Sequence, residues 1–138
     1  MLRGSCLCGR LQFEIEGPHS GIGCCHCSLC RKCSGTGSMA TIVVDFGQLR
    51  WISGEDSVTL YERPSGYGSA FCSVCGSPAP DHDRRKRVYR FPVGLLDGEP
   101  DLPICDHIYV GSKASWDVIG DGAPQFEGDG PARPRVYP

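Results

Sequence analysis

No stretch of this 138-residue chain approaches the roughly 18 consecutive apolar residues that a membrane-spanning helix requires. The opening residues, MLRGSCLCGRLQFEIEG, lack an uninterrupted apolar segment and a small-residue cleavage site. We therefore expect no signal peptide, no membrane partner and a cytoplasmic location. An excess of one charge is missing too: 14 Lys and Arg stand against 16 Asp and Glu, a net of −2. That balance gives no global reason to bind nucleic acid. The one basic run, RRKR at 84–87, follows Asp81 and Asp83 and carries no interleaved aromatic residue, so it reads as a solvated hairpin loop. SGTGSMA at 34–40 is glycine-rich but lacks the Lys-Ser/Thr ending of a phosphate loop. Long helical periodicities are also scarce. Nineteen glycines and eleven prolines favour many turns and short strands.

The strand signals are local. Leu11, Phe13 and Ile15 alternate with Gln12, Glu14 and Glu16 as in a half-buried strand. MATIVVDFG is an apolar, β-branched run, and LRWISG, SVTLYER, KRVYRFPVGLL and DHIYVG complete the set. Helix is expected only as a short turn within 27–32 and in one segment after Lys113. Hydrophobic residues make up 40%, enough for one core in a chain of this length. These features predict a single, mostly β domain over 1–130. The tail PARPRVYP, 131–138, cannot form a regular helix and is expected to trail over the surface.

Cysteine is abundant instead: ten residues, five of them within CCHCSLCRKC at 24–33. In a reducing compartment such thiols read as metal ligands or buried thiols before disulfides. Cys6 and Cys8 form one Cys-x-Cys. Cys72 and Cys75 form a Cys-x-x-Cys followed by Gly76, the turn that aims two sulfurs at one ion. Together they would supply the four thiolates of a closed structural zinc, unless one pair is simply core cysteine. Cys25, Cys27 and Cys30 deliver three more sulfurs from one loop, which leaves a fourth position for water or substrate. The alternatives are a closed site completed by Cys24 or Cys33, and plain buried cysteines. Neighbouring side chains diverge, so Cys24 is the weaker candidate. Three thiolates donate much charge to an ion, which suits capture of a soft substrate thiol better than acidification of water. Arg31 and Lys32 follow at once and are candidates to hold a substrate carboxylate, unless they are solvated loop charges.

At this point the chain resembles the glutathione-dependent formaldehyde-activating enzyme family, the CENP-V/GFA domain. The matching pieces are GSCLCGRLQFEIEGP, CHCSLCRKCSG, FCSVCGSPAP and HIYVGSKASWDVI with PQF, in that order over residues 4–126. The resemblance implies a β-tent zinc fold of small antiparallel sheets. It implies a structural zinc on Cys6, Cys8, Cys72 and Cys75, and a catalytic zinc on Cys25, Cys27 and Cys30. The named activity joins glutathione and formaldehyde into S-hydroxymethylglutathione and is classed as a carbon–sulfur lyase reaction. His107 falls in the family's strongest C-terminal motif and is a candidate proton shuttle or orienting residue, unless it merely hydrogen-bonds at a strand start. Lys113 and Trp116 are candidates to line the cleft, with Trp116 equally at home in the core. Cys24, Cys33 and Cys105 are expected to be small buried residues. His26 is expected to point away from the metal. Competing functions are cleavage of another small molecule by zinc-bound water, a non-catalytic zinc module for a protein partner, and, more weakly, a redox switch.

Overall fold

A computed structural model describes residues 1–138. Ten short strands form three sheets. β1 (Leu2–Ser5), β2 (Gln12–Ile15) and β5 (Leu49–Ser53) make an antiparallel sheet in the order β1-β2-β5. A second sheet has five strands, β10 (Ile104–Ile108), β3 (Ile22–Cys25), β4 (Met39–Asp45), β9 (Val88–Pro92) and β8 (Asp81–Asp83), in that order. β10 and β3 run parallel and the other pairs antiparallel. β6 (Val58–Glu62) and β7 (Gly68–Cys72) form a two-stranded ribbon. This is the mostly β, single-domain architecture that the sequence predicts. No helix is long and apolar enough to cross a membrane.

The main core lies between the first two sheets, where Phe13, Ile15, Ile42, Val44, Phe91, Leu95 and Leu96 cluster. Phe13 meets Phe91 at 5.4 Å between ring centroids and Trp51 edge-on at 5.9 Å. Gly4 is required here. A Cβ would fall 2.4 Å from the Phe13 ring and 2.7 Å from the Leu95 carbonyl oxygen. The expected alternation of β2 holds for Leu11, Phe13 and Ile15, but Glu14 is also buried, at 5% exposure. Arg3 and Arg50 both reach its carboxylate, and that pairing is what makes burial tolerable.

Alternation on the second sheet decides where function sits. Ile42, Val44 and Phe91 point into the core, so Thr41, Val43, Arg90 and Pro92 point the other way. Register carries that outer face across the sheet. Thr41 pairs with Gly23, which pairs with Asp106; Met39 pairs with Cys25, which pairs with Ile108. Cys24 and His107 pair with each other and face the opposite side.

Several expectations change. The segment after Lys113 forms no helix; instead Tyr109 turns into the left-handed region at φ 54° and ends β10 in one 3-10 turn, Val110–Ser112. Trp116 is 70% exposed, so it is not core. Cys24 is buried as expected, whereas Cys33 and Cys105 are only half-buried. RRKR is the exposed β8–β9 turn, as predicted. The C-terminal tail has no helix but does not trail. His19 and Tyr137 exchange two backbone hydrogen bonds (2.9 and 3.2 Å) and stack their rings, and Arg135 meets Asp45 at 3.0 Å. The prolines exclude a helix but leave an extended strap with donors to spare.

Candidate active site

Cys6 and Cys8 follow β1, Cys72 ends β7, and Cys75 sits on the turn beyond it. Their four sulfurs lie within 4.8 Å of one another, with Cys6–Cys8 at 3.6 Å and Cys8–Cys72 at 3.9 Å. A tetrahedral ion with metal–sulfur bonds of about 2.3 Å separates its sulfurs by about 3.8 Å. The cluster therefore fits a closed four-thiolate metal site. Backbone geometry supports it: Gly76 adopts φ 75° and donates to the Cys72 carbonyl, closing the knuckle turn. Ser77 Oγ, 3.4 Å from Cys75 Sγ, heads the contacts that hold the Cys75 thiol down at about 5. The cluster joins the first sheet to the ribbon, where Leu11, Ala70 and Ala79, with half-buried Trp51 and Val58 against them, accompany Cys6 and Cys72 in a small second core.

The second group is Cys25, Cys27 and Cys30, again with all sulfurs within 4.8 Å. Cys25 ends β3 on the outer face. Cys27 caps α1 (Ser28–Ser34), its sulfur accepting from the Cys30 N–H at 3.3 Å. One turn of helix then swings Cys30 back toward Cys25. The Cys30 thiol is a hydrogen-bond partner of Cys25; that contact lowers the Cys25 thiol and raises the Cys30 thiol. The group can hold a metal ion with three protein ligands. Cys24 cannot complete it from the opposite face, and Cys33 lies outside the group, lining a neighbouring pocket.

The three sulfurs open into a cleft of about 450 Å³. Leu29, Met39 and Ile108 give it apolar walls, while Thr41, Tyr67, Arg90, Tyr109, Asp129 and Arg133 contribute its polar atoms. The Tyr67 hydroxyl donates to Cys30 Sγ at 3.3 Å. Tyr109 donates to Asp129 at 2.9 Å.

The predicted cations lie elsewhere. Arg31 Nε reaches the His26 carbonyl at 3.3 Å, which ties the ligand loop to its own helix. Lys32 is exposed at the end of α1 and Lys113 Nζ binds the Asp117 carbonyl at 2.6 Å; neither lines the cleft. The cations that do line it, Arg90 and Arg133, gave little sequence signal. Arg90 could have been inferred from its alternation with buried Phe91; Arg133 lay in a segment read as tail.

His107 is 4% exposed and lies behind the ligand loop, outside the cleft. Its Nδ1 is 2.9 Å from His26 Nε2 and its Nε2 is 2.9 Å from Asp121. His26 points away from the sulfurs, as expected, with Asp117 3.6 Å from its other nitrogen. Burial, then the neighbouring His107, lowers the His26 pKa. Asp121 sits below the usual carboxylate range because the Ala123 N–H and then His107 bond to it. The hydrogen-bonded series of His26, His107 and Asp121 braces the peptide between Cys25 and Cys27. His107→Asn is expected to leave the fold intact and to weaken metal binding at the three-cysteine group about 10–100-fold, the usual effect of losing an outer partner. Competition with a chromogenic chelator measures it; unchanged affinity would show that the brace is idle.

The family model described as glutathione-dependent formaldehyde-activating enzyme matches residues 1–112. A Halomonas elongata protein, provisionally named glutathione-dependent formaldehyde-activating enzyme, is 29% identical over 124 residues, which cover 84% of this chain and 79% of that protein. A crystal structure of a Rhodobacter sphaeroides protein superposes with a TM-score of 0.59 at 24% identity, covering 72% of this chain and 91% of that one, and so shares the fold. The chain belongs to the glutathione-dependent formaldehyde-activating enzyme family.

Proposed function

We propose that this protein is a zinc enzyme that joins a thiol, glutathione by family, to formaldehyde, giving S-hydroxymethylglutathione in a carbon–sulfur lyase-type equilibrium. The observation that carries the reading is a three-sulfur group with no fourth cysteine, opening onto a cleft. Cys6, Cys8, Cys72 and Cys75 would hold the structural zinc, and Cys25, Cys27 and Cys30 the reactive one. When bound there, zinc supplies an open position that takes a substrate thiol as its thiolate.

The chain's own groups do the rest. Tyr67 donates to Cys30 Sγ and moderates the negative charge of the sulfur set. Leu29, Met39 and Ile108 keep the sulfur end of the cleft apolar, which strengthens electrostatic contacts made there. The brace through His26 and His107 fixes the loop, so His107 acts as a positioning residue and not as a group that touches substrate. In the reaction the thiolate sulfur attacks the formaldehyde carbon and a C–S bond forms. The carbonyl electron pair moves to oxygen, which takes up one proton, balancing the proton lost by the thiol. Confinement of both reactants in one cleft supplies proximity.

X-ray absorption at the zinc edge, with metal counting, tests the reading. Two zincs per chain are expected, one with three sulfurs and a light atom that glutathione replaces by sulfur. Two four-sulfur zincs, indifferent to glutathione, would instead indicate a non-catalytic module.

A further inference from the structure

The family match ends at Ser112, yet two charged groups of the cleft lie beyond it, Asp129 and Arg133. Arg133 is held with unusual care. Its Nε lies 3.0 and 2.9 Å from the two carboxylate oxygens of Asp106, and the side chains are only 11% and 8% exposed. Its Nη1 reaches Thr41 Oγ1 at the long distance of 3.5 Å. The guanidinium occupies the place that a side chain at position 23 would take: a Cβ on Gly23 would fall 1.8 Å from Arg133 Cζ. The strap that delivers it is pinned farther along by Arg135 to Asp45 and by Tyr137 to His19.

A half-sealed ion pair of this kind adds little net stability, because desolvation offsets the attraction. The pair leaves a binding edge unspent. Asp106 occupies Nε, and Nη2 has no hydrogen bond within the chain. Nη2 is not sealed off either, since the only buried side-chain nitrogen or oxygen atoms lacking a partner are His26 Nδ1 and Arg135 Nε. A guanidinium fixed on one side and open at its Nη edge matches a carboxylate in bidentate fashion. Arg90, the other cation of the cleft, spends the Nη2 that Arg133 keeps open, on Asp81 at 3.2 Å.

We propose that Arg133 is the carboxylate anchor of the cleft, so that the substrate is a thiol bearing a carboxylate, its sulfur toward Cys25, Cys27 and Cys30 and its carboxylate on the Nη edge. This rests on the thiol-binding reading above and adds the residue that selects among thiols. Asp106, Thr41 and the absent side chain of Gly23 form the seat of the anchor.

Calorimetric titration of the zinc-loaded protein with 3-mercaptopropionate and with its methyl ester tests it, with glutathione as a third ligand. The wild type is expected to prefer the acid over the ester about 10–100-fold, the range for a hydrogen-bonded charge. Arg133→Gln should abolish that preference by bringing the affinity for the acid down to that for the ester. Because this variant strands Asp106, the double variant Arg133→Gln/Asp106→Asn keeps the pair neutral and the seat filled, and it should show the same loss. A wild type that does not discriminate, a double variant that still does, or binding of neither compound overturns the proposal. Discrimination that depends on Arg133, combined with no binding of glutathione, would leave the anchor standing and remove glutathione as the substrate.

Discussion

Replacing Cys75 by Ser is expected to unfold much of the molecule, with one metal lost per chain. Cys6, Cys8, Cys72 and Cys75 converge from two sheets that share only a small apolar cluster. Structural zinc binding is worth about 10–16 kcal/mol in isolated finger peptides, whereas whole domains are stable by only about 5–15 kcal/mol. Even a partial loss of about 5 kcal/mol lowers the melting temperature by about 15 °C in a domain of this size. Thermal denaturation with metal analysis of both proteins measures it. A variant melting within a few degrees of wild type, one metal short, would show that the ribbon is held without the cluster.

Replacing Cys27 by Ser is expected to do the reverse: keep the fold and lose the chemistry. Cys27 is half-buried, and its structural task is to cap α1 by accepting from the Cys30 N–H. Serine performs that task at least as well, so any fall in melting temperature should reflect only the lost metal and be much smaller than that of the Cys75 variant. One of three sulfurs is gone, however, and the second metal should leave with it. A free thiol is only a few per cent thiolate near neutral pH, and the positioning of sulfur against formaldehyde is lost as well. Formation of the adduct should fall by about 100-fold or more, measured by rate against glutathione and formaldehyde. Near-normal turnover in a fully folded variant would rule out the three-cysteine group as the reactive centre.

Much of this was legible in the residues. Alternating or β-branched runs predicted the strands around Phe13, Ile42, Trp51, Leu60, Phe91 and His107. Missed strands are those whose residues lack such a pattern: β1 contains Gly4, β3 is Ile-Gly-Cys-Cys, β7 starts Gly-Ser-Ala, and β8 is the polar Asp-His-Asp. Their pairing is imposed by neighbours and not by propensity. Both cysteine groups could be read because metal spacing is a local property of the chain. The cleft could not. Its polar groups come from β4, β9, the loop before β7 and the C-terminal strap, and only sheet register brings Thr41, Gly23 and Asp106 into one row. Arg31, Lys32 and Lys113 drew attention because they neighbour motifs in sequence, yet backbone carbonyls or solvent take them. Burial of Glu14 was hidden for a similar reason, since its partners Arg3 and Arg50 come from two other strands.

The division between the two cysteine clusters has a consequence for vectorial synthesis. All four cysteines of the first cluster have emerged once residue 75 clears the ribosome, and the strands they staple lie wholly within that stretch. Cys25, Cys27 and Cys30 are out by then as well, but Ile108, Asp121, Asp129 and Arg133, which wall, brace and seat the cleft, have yet to emerge. β10 must then slide in parallel beside β3, and the strap must close over Gly23, before the loop holding Cys25 and Cys27 is locked. The four-cysteine cluster can thus assemble before the cleft does, and a polypeptide that ends short of the strap would have its main core, which needs Phe91, Leu95 and Leu96, but no Arg133 in its seat.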